Sequence, residues 1–101
     1  MIYHIVTPEQ WEQWSDKDTY EAPGFEQEGF IHLCTEEQIS GVLERYYSDV
    51  PDILLLHVDT DELTAPLKWE AATNDELFPH LYGPLNKSAI AGMESFSRAG
   101  S

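Results

Sequence analysis

The sequence predicts one α+β domain over residues 1–101, in which two short helices pack against a curved, mostly antiparallel and split sheet. Three observations support this class. A chain of this length has room for one modest hydrophobic core and no room for a second. Short strands follow one another with helices only between the first few. Each of the first two strands is followed by a threonine that can cap a helix.

The first predicted strand covers residues 2–6. Alternation places Ile2, His4 and Val6 on one face and Tyr3 and Ile5 on the other. Because both faces carry bulky side chains, we expect this strand to lie inside the sheet.

The first helix is predicted to begin after Thr7, with Pro8 in its first position. Gln10 completes a Thr-x-x-Gln capping box, in which each side chain bonds the other residue's backbone. Trp11 and Trp14 are three residues apart, so they lie on the same side of this helix and should pack on the sheet.

The polar stretch over residues 15–28 predicts a long exposed connection. A second strand over residues 30–34 is predicted to be short and buried, with its histidine between apolar neighbours. Phe30, His32 and Cys34 then share one face of this strand.

The second helix is the most strongly patterned element. Thr35 caps it, and the acidic side chains of Glu36 and Glu37 meet its positive end. Such carboxylates compete with a phosphate, so this helix start is not expected to cradle one. The predicted buried stripe consists of Ile39, Val42, Leu43, Tyr46 and Tyr47.

The second half of the chain predicts strands linked by turns. Prolines in its most aromatic segment argue against a helix there. In the fourth strand Leu67 and Trp69 share a face. The predicted elements are a third strand over residues 53–58, a helical turn over 59–63, the fourth strand over 67–70, a loop over 71–77, an irregular segment over 78–85 leading into an edge strand, a closing segment over 86–96, and a frayed tail after Arg98.

The charge balance is strongly acidic. Nineteen Asp and Glu residues stand against five Lys and Arg, a formal net charge of −14. Nucleic-acid affinity depends largely on Lys and Arg neutralising phosphates. We therefore expect neither nucleic acid nor an anionic membrane as a partner, whereas a small nucleotide ligand remains compatible with a local pocket. The oligomeric state is left open by the sequence.

Cysteine usage and hydropathy predict a cytoplasmic protein. Cys34 is the single cysteine and lies in an apolar strand, so it has no internal disulfide partner. The sequence shows neither a signal-peptide pattern nor a long apolar span.

Three histidines with apolar neighbours, His4, His32 and His80, are the candidate chemical groups. A neutral imidazole donates and accepts a hydrogen bond at once, which suits it to hold a ribose hydroxyl or to move a proton. The first two recur in one pattern, His-x-x-Thr-x-x-Gln, which favours a shared role. The alternative for each is a core histidine bonded to backbone. We interpret His57, on the apolar third strand, as structural.

Glu70 follows Trp69 at the end of the fourth strand. A carboxylate there could stabilise a cationic transition state or polarise a ribose hydroxyl. The alternative interpretation is that Glu70 is only a solvated residue at the end of a strand. The aromatic rings of Trp69, Phe78 and Tyr82 offer a stacking surface for a planar ligand, and their alternative is the core.

Metal binding by the histidines and nucleophilic catalysis by Cys34 are two further hypotheses. Three imidazoles can hold zinc, although no short spacing such as His-x-x-x-His links His4, His32 and His80. Cys34 shares a strand face with His32, but nothing in the sequence indicates an exposed thiolate. A His-ligated metalloprotein therefore stays as an alternative, and nucleophilic catalysis is a weaker one.

Four motifs cover nearly the whole chain: residues 2–4 (IYH), 28–33 (EGFIHL) with Thr35, 67–70 (LKWE) and 78–85 (FPHLYGPL). With them the sequence resembles the domain-of-unknown-function 952 family of small bacterial proteins. That family is similar in fold to the ADP-ribosyltransferases, which split NAD at the nicotinamide ribose with residues on separated strands.

The resemblance implies roles for the candidate residues. His4 would match the first-strand residue that binds the ribose, His32 the second-motif residue, and His80 or Glu70 the third. Bacterial-toxin transferases end their motif with a catalytic glutamate, whereas here His80 occupies that kind of position. The expected substrate-binding residues are Tyr3, Thr35, Trp69, Phe78 and Tyr82.

The first hypothesis is that a cleft in this domain binds NAD or a related nucleotide. NAD would be a substrate rather than a resident cofactor, and the reaction would be ADP-ribosyl transfer. His4, His32, Glu70 and His80 line this cleft. The arginines of family members that remove a 2′-phosphate from RNA have no match here. The alternatives are a nonenzymatic nucleotide- or protein-binding module and a small His-ligated metalloprotein.

Overall fold

The computed structural model describes residues 1–72 and 75–97. Every strand pair in this part of the chain is antiparallel. The strands are Ile2–Val6 (β1), Thr19–Tyr20 (β2), Ile31–His32 (β3), Asp52–Val58 (β4), Leu67–Ala71 (β5), Leu77–Leu81 (β6), Leu85–Asn86 (β7) and Ile90–Ser97 (β8). The α-helices are Pro8–Glu12 (α1), Phe25–Glu28 (α2) and Ile39–Tyr46 (α3), and 3-10 turns span Glu36–Gln38, Thr60–Glu62 and Lys87–Ala89.

The sheet is split into the ladders β1-β4-β8, β3-β6-β5 and β2-β7. The two larger ladders meet at one reciprocal pair of backbone hydrogen bonds. Tyr3 N donates to Cys34 O, and Cys34 N donates to Tyr3 O, both at 2.8 Å. β1 therefore lies between β4 and the chain at Cys34, which confirms its predicted inner position. The α+β class with a mostly antiparallel sheet and short helices is also confirmed.

The two faces of β1 contact two separate clusters of buried side chains. Ile2 and Val6 pack with Tyr20 and Leu56 on one face. Ile5 packs with Cys34 and the inner side of α3 on the other. The predicted alternation in β1 is therefore confirmed, because each face supplies apolar residues to a different core.

The predicted capping box at Thr7 forms, and Thr35, the predicted cap of the second helix, forms another with Gln38. Thr7 Oγ1 accepts a hydrogen bond from Gln10 N at 3.3 Å, and Gln10 Oε1 accepts one from Thr7 N at 3.4 Å. At the second box Gln38 Oε1 accepts from Thr35 N at 2.9 Å. Gln38 Nε2 also donates to the carbonyl oxygen of Leu77 at 2.8 Å, so this cap fixes the helix to the start of β6.

The prediction of a long exposed connection over residues 15–28 is wrong in its middle. This stretch contains β2 and α2, and Tyr20 in β2 is fully buried. The rings of Trp11 and Trp14 lie against the Tyr20 ring, with centroid distances of 5.3 and 6.3 Å. Its phenol is also hydrogen-bonded to His4, so burial leaves the polar group satisfied.

The second strand is shorter than predicted, and its histidine is not buried. Ile31 and Leu33 take the core face, so alternation places the His32 side chain on the opposite, accessible face. Tyr46 also departs from the predicted buried stripe, because it lies at the last turn of α3 and is 63% exposed. The other four stripe residues do pack on the core.

The aromatic segment over residues 78–85 is predicted to lead into an edge strand, yet its first half belongs to β6, the central strand of its ladder. Pro79 lies in the middle of β6 and accepts a hydrogen bond from Leu33 N at 3.0 Å through its carbonyl oxygen. Proline is rare in central strands because it donates no ladder hydrogen bond. Residues 73–74 of the predicted loop and the predicted tail after Arg98 lie outside the described residues.

No helix within the described ranges is long and apolar enough to cross a membrane.

Replacing Tyr20 with Phe should lower the free energy of unfolding by about 1–3 kcal/mol, because a buried acceptor on His4 then loses its donor. Urea denaturation at neutral pH measures this change. A stability within error of the parent protein would show that the Tyr20 hydroxyl does not satisfy His4.

Candidate functional site

His4 lies beneath the candidate site and is buried, with 5% of its surface exposed. Its Nδ1 lies 2.7 Å from the carbonyl oxygen of His32, which can only accept, so Nδ1 carries the hydrogen. In the neutral ring Nε2 then accepts from the Tyr20 hydroxyl at 3.0 Å. Both nitrogens are engaged, so His4 positions the backbone of His32 and matches the core-histidine alternative.

The environment of His4 keeps it uncharged. Burial lowers its pKa from 6.5 to about 4, although the hydrogen bond to the His32 carbonyl opposes this shift. A neutral His4 is therefore present throughout the physiological pH range, and the fixed tautomer follows from its two bonds.

His32 occupies a different environment from His4 despite the shared motif. Its Nε2 lies 2.9 Å from a carboxylate oxygen of Glu28, at the end of α2. The side chains of this pair are 56% and 46% exposed, respectively. Such a pair is screened by water and contributes little to stability, so the ring of His32 is available to a ligand.

Glu70, His80 and Tyr82 form a cluster at the strand pair β5–β6. Glu70 Oε1 accepts from His80 Nδ1 at 2.9 Å and also from the Tyr82 hydroxyl. The hydrogen bonds from Tyr82 and then from His80 lower the pKa of Glu70, and the same bond raises the pKa of Tyr82. Glu70 is consequently an ionised acceptor and Tyr82 a neutral donor.

This cluster continues to His32 through ring packing. His80 is directly opposite His32 in the β3–β6 ladder, and their ring centroids are 5.0 Å apart at a near-perpendicular angle. Phe30 stacks on the His80 ring at 4.3 Å and 22°. On the same face, Lys68 Nζ lies 5.0 Å from the centroid of the Tyr82 ring.

A cavity of about 490 Å³ opens beside this cluster, between β1, α3 and the segment at His32. Four of the predicted site residues line it. They are Tyr3, His4, His32 and Phe78. Glu70 is the ladder partner of Phe78, so it lies at the border of the cavity rather than in its lining.

The cavity is aromatic and carries no formal charge. Six of the chain's twelve Phe, Trp and Tyr residues line it: Tyr3, Tyr20, Phe30, Tyr46, Tyr47 and Phe78. The described lining residues include no Asp, Glu, Lys or Arg, although the chain has 24 of them. An uncharged aromatic cavity is suited to a planar ring rather than to a phosphate.

The structure thus brings together His32, Glu70, His80 and Tyr82, with Phe78 beside them. It does not bring Thr35 or Trp69 to the same place. Thr35 caps the helix turn through its backbone, and Trp69 lies on the opposite face of β5 and is 48% exposed. Their predicted roles in substrate binding stay predictions.

Sequence reasoning missed Phe30 and Tyr20 as parts of the site. The sequence pattern predicts only a strand face for Phe30 and an exposed connection for Tyr20. The cavity wall is formed by residues that are distant in the chain, so no local sequence pattern marks them as cavity residues. For Phe30, the candidate histidine His32 two positions later is the nearest feature that could have pointed to the cavity.

Nucleophilic catalysis by Cys34 and metal binding by the three histidines gain no support from the geometry. Burial raises the pKa of the Cys34 thiol to about 12, so it is not a thiolate nucleophile at neutral pH. His4 has both ring nitrogens engaged and cannot act as a metal ligand in this arrangement. In the part of the chain that the structure describes, no three His, Cys, Asp or Glu residues are grouped to hold a metal ion.

Fold and site together define a small α+β protein with a split antiparallel sheet and an aromatic cavity bordered by two histidine–glutamate pairs. The chain belongs to the protein family of unknown function DUF952, whose family model matches residues 5–93. No curated protein matches it.

Solved structures of protein CC0527 from Caulobacter crescentus are similar to this chain. The crystal structure has a TM-score of 0.84 at 30% sequence identity, over 93% of this chain and 83% of that one. A crystal structure of its double mutant gives 0.84 at 29% identity, with the same coverage. The solution NMR structure gives 0.80 at 30% identity, over 95% and 84% of the two chains.

His4 should make the protein sensitive to acid. Because its folded pKa lies below the unfolded value of 6.5, the unfolded state binds the extra proton first, and stability falls as the pH drops from 6.5 towards 4. Protonation of His4 should lower the free energy of unfolding by about 3 kcal/mol between about pH 7.5 and pH 4. Urea titrations of the parent and of His4→Gln measure it as the difference between their pH dependences. Equal pH dependences would contradict the prediction.

Proposed function

We propose that this protein binds NAD or a related nucleotide in the aromatic cavity and that the histidine and glutamate groups at its border act on the ribose. The observation that carries the proposal is the position of His32. Its ring lines the uncharged cavity and packs on His80, which is hydrogen-bonded to Glu70. A ring-binding cavity therefore directly adjoins groups that can hold or polarise hydroxyls.

The size and lining of the cavity fit one ring system of such a ligand. Ligand pockets commonly enclose about 300–1,000 Å³ and combine aromatic walls with a few polar groups. Phe30, Phe78 and Tyr3 would supply stacking surface. Gln10 also lines the cavity, and its amide could recognise a polar ring substituent.

The pyrophosphate would lie outside the cavity. The described lining offers no cation to neutralise it, and enclosing a phosphate there would cost desolvation without compensation. Lys68 is paired with His80 across the β5–β6 ladder and supplies a positive charge on the cluster's face. The ribose between ring and phosphates would then be nearest His32.

This arrangement suits loss of nicotinamide from NAD. Breaking the bond between ribose and nicotinamide develops positive charge on the sugar, which an ionised carboxylate such as Glu70 stabilises. His32 would hold a ribose hydroxyl, because imidazole can donate or accept. ADP-ribosyl transfer on an ADP-ribosyltransferase-like fold is the reaction that we propose on this basis.

A nonenzymatic nucleotide-binding module is the second candidate. It is favoured by one observation: His80 Nε2 is enclosed, so the innermost polar group of the cluster does not reach the cavity as it stands. Release of nicotinamide at enzyme-like rates would exclude this candidate.

Titration with NAD, followed by two-dimensional NMR of the histidine rings and backbone, tests the proposal. Saturable shifts at His32 and around Phe78 are expected. His32→Ala should weaken NAD binding about tenfold or more, corresponding to about 1.4 kcal/mol of binding free energy.

The control is His57→Phe, which removes a histidine but keeps a ring to pack edge-on against Tyr3, as the His57 ring does at 5.0 Å. His57 also pairs with a glutamate at 2.9 Å, Glu94, but does not line the cavity. This variant should bind NAD like the parent protein. Absence of saturable shifts in the parent, or equal weakening by both variants, would overturn the proposed site.

A further inference from the structure

His80 Nε2 is a buried polar atom without a hydrogen-bond partner among the described residues. The residue is only 4% exposed. Buried polar atoms in proteins are nearly always paired, and an unpaired one costs about 1–3 kcal/mol. This exception lies in the candidate site, next to residues that line the cavity.

The partners of His80 determine what the free nitrogen can do. The carboxylate of Glu70 accepts the hydrogen of His80 Nδ1 at 2.9 Å, and the Tyr82 hydroxyl donates to the same carboxylate oxygen. Neutral His80 therefore carries its hydrogen on Nδ1 and a lone pair on Nε2. A carboxylate that fixes a histidine in this tautomer is the arrangement by which enzymes prepare a general base.

His80 lies directly behind the cavity wall. Phe30 and His32 both pack on its ring and both line the cavity. His32 is held by an ion pair to Glu28 whose side chains are both about half exposed, so displacing its ring costs little. For Nε2 to reach a ligand in the cavity, the rings of His32 and Phe30 that pack on His80 must move aside.

We propose that His80 Nε2 is a general base that takes the proton from a hydroxyl acceptor, either water or an alcohol, while Glu70 positions the ring and stabilises its charged form. This inference rests on the proposed function. In the step, the hydroxyl oxygen bonds to the ribose C1′, and the C1′–nitrogen bond breaks with its electron pair passing to nicotinamide. The hydroxyl proton moves to His80 Nε2, giving ADP-ribose from water or an O-glycoside from an alcohol.

The burial of His80 favours a hydroxyl over other acceptors. A neutral hydroxyl enters an enclosed site at lower desolvation cost than an ammonium group. A carboxylate acceptor has no proton to give at neutral pH and would meet the charge of Glu70. An alcohol or water is thus the acceptor that both needs this base and can approach it.

The test follows nicotinamide release and product identity after incubation of the protein with NAD and excess ethanol or ethylamine, two acceptors of matched size. Mass spectrometry should find ADP-ribose and the ethyl O-glycoside, without an N-linked ethylamine product. His80→Asn retains an amide donor near the position of Nδ1 but has no base, so nicotinamide release should fall about 100-fold or more while NAD affinity changes less than twofold. His57→Phe, which removes a histidine outside the cluster but keeps a ring against Tyr3, should release nicotinamide like the parent.

The outcomes separate this inference from the function on which it rests. Undiminished release by a folded His80→Asn variant, or a dominant N-linked product, overturns the role of His80 and leaves the proposed function standing. Binding of NAD without any release overturns the base and leaves only nucleotide binding. Failure to bind NAD overturns both.

A second measurement does not depend on the variant folding. Nitrogen-15 NMR of the parent protein's histidine rings should show His80 protonated at Nδ1 and bare at Nε2 at neutral pH. The opposite tautomer would overturn the inference.

Discussion

One junction holds the two halves of the sheet together, and the candidate site depends on it. Tyr3 and Cys34 exchange two backbone hydrogen bonds of 2.8 Å. Beside them, His4 donates a hydrogen bond to the carbonyl oxygen of His32, which lies two residues before Cys34. Because Tyr3 and Cys34 form an isolated bridge between the two ladders, these few bonds fix the place at which the β3–β6–β5 ladder leaves the first ladder. The gap between the ladders is where the cavity opens, so the junction determines the positions of His32 and of the cluster behind it.

The segregation of charge is the second constraint. A chain with a net charge of −14 would be expected to present carboxylates almost everywhere, yet the described lining of its cavity has none. The acidic groups that do approach the cavity, Glu28 and Glu70, are each paired with a histidine. The cavity is thus a neutral aromatic surface within a chain whose overall charge is strongly negative.

His4 and His32 show how far a sequence motif can predict a site. Each is followed by the same pattern of threonine and glutamine. Thr7 and Thr35 both cap a helical turn as predicted, because a cap joins residues only three positions apart. The side chains of His4 and His32 nevertheless differ in burial. His4 shares a face with Ile2 and Val6 and is buried, whereas Ile31 and Leu33 occupy the core face beside His32 and leave its ring accessible. One-residue alternation, set by which face meets the core, separates a buried structural histidine from an accessible one.

The residue pattern predicts what short-range physics controls: the capped helix starts, the alternation in β1, the long apolar strand β4, and His32, Glu70, His80 and Tyr82 as candidate residues. Folding of the whole chain is needed to join Glu70, His80 and Tyr82 in one hydrogen-bonded cluster, to stack Phe30 on His80 and to bury Tyr20 against His4. These contacts join strands whose pairing depends on register and on closing long loops, which no local pattern of residue types specifies. The same holds for Pro79, whose strand is central because its neighbours pair on both sides, against its own preference.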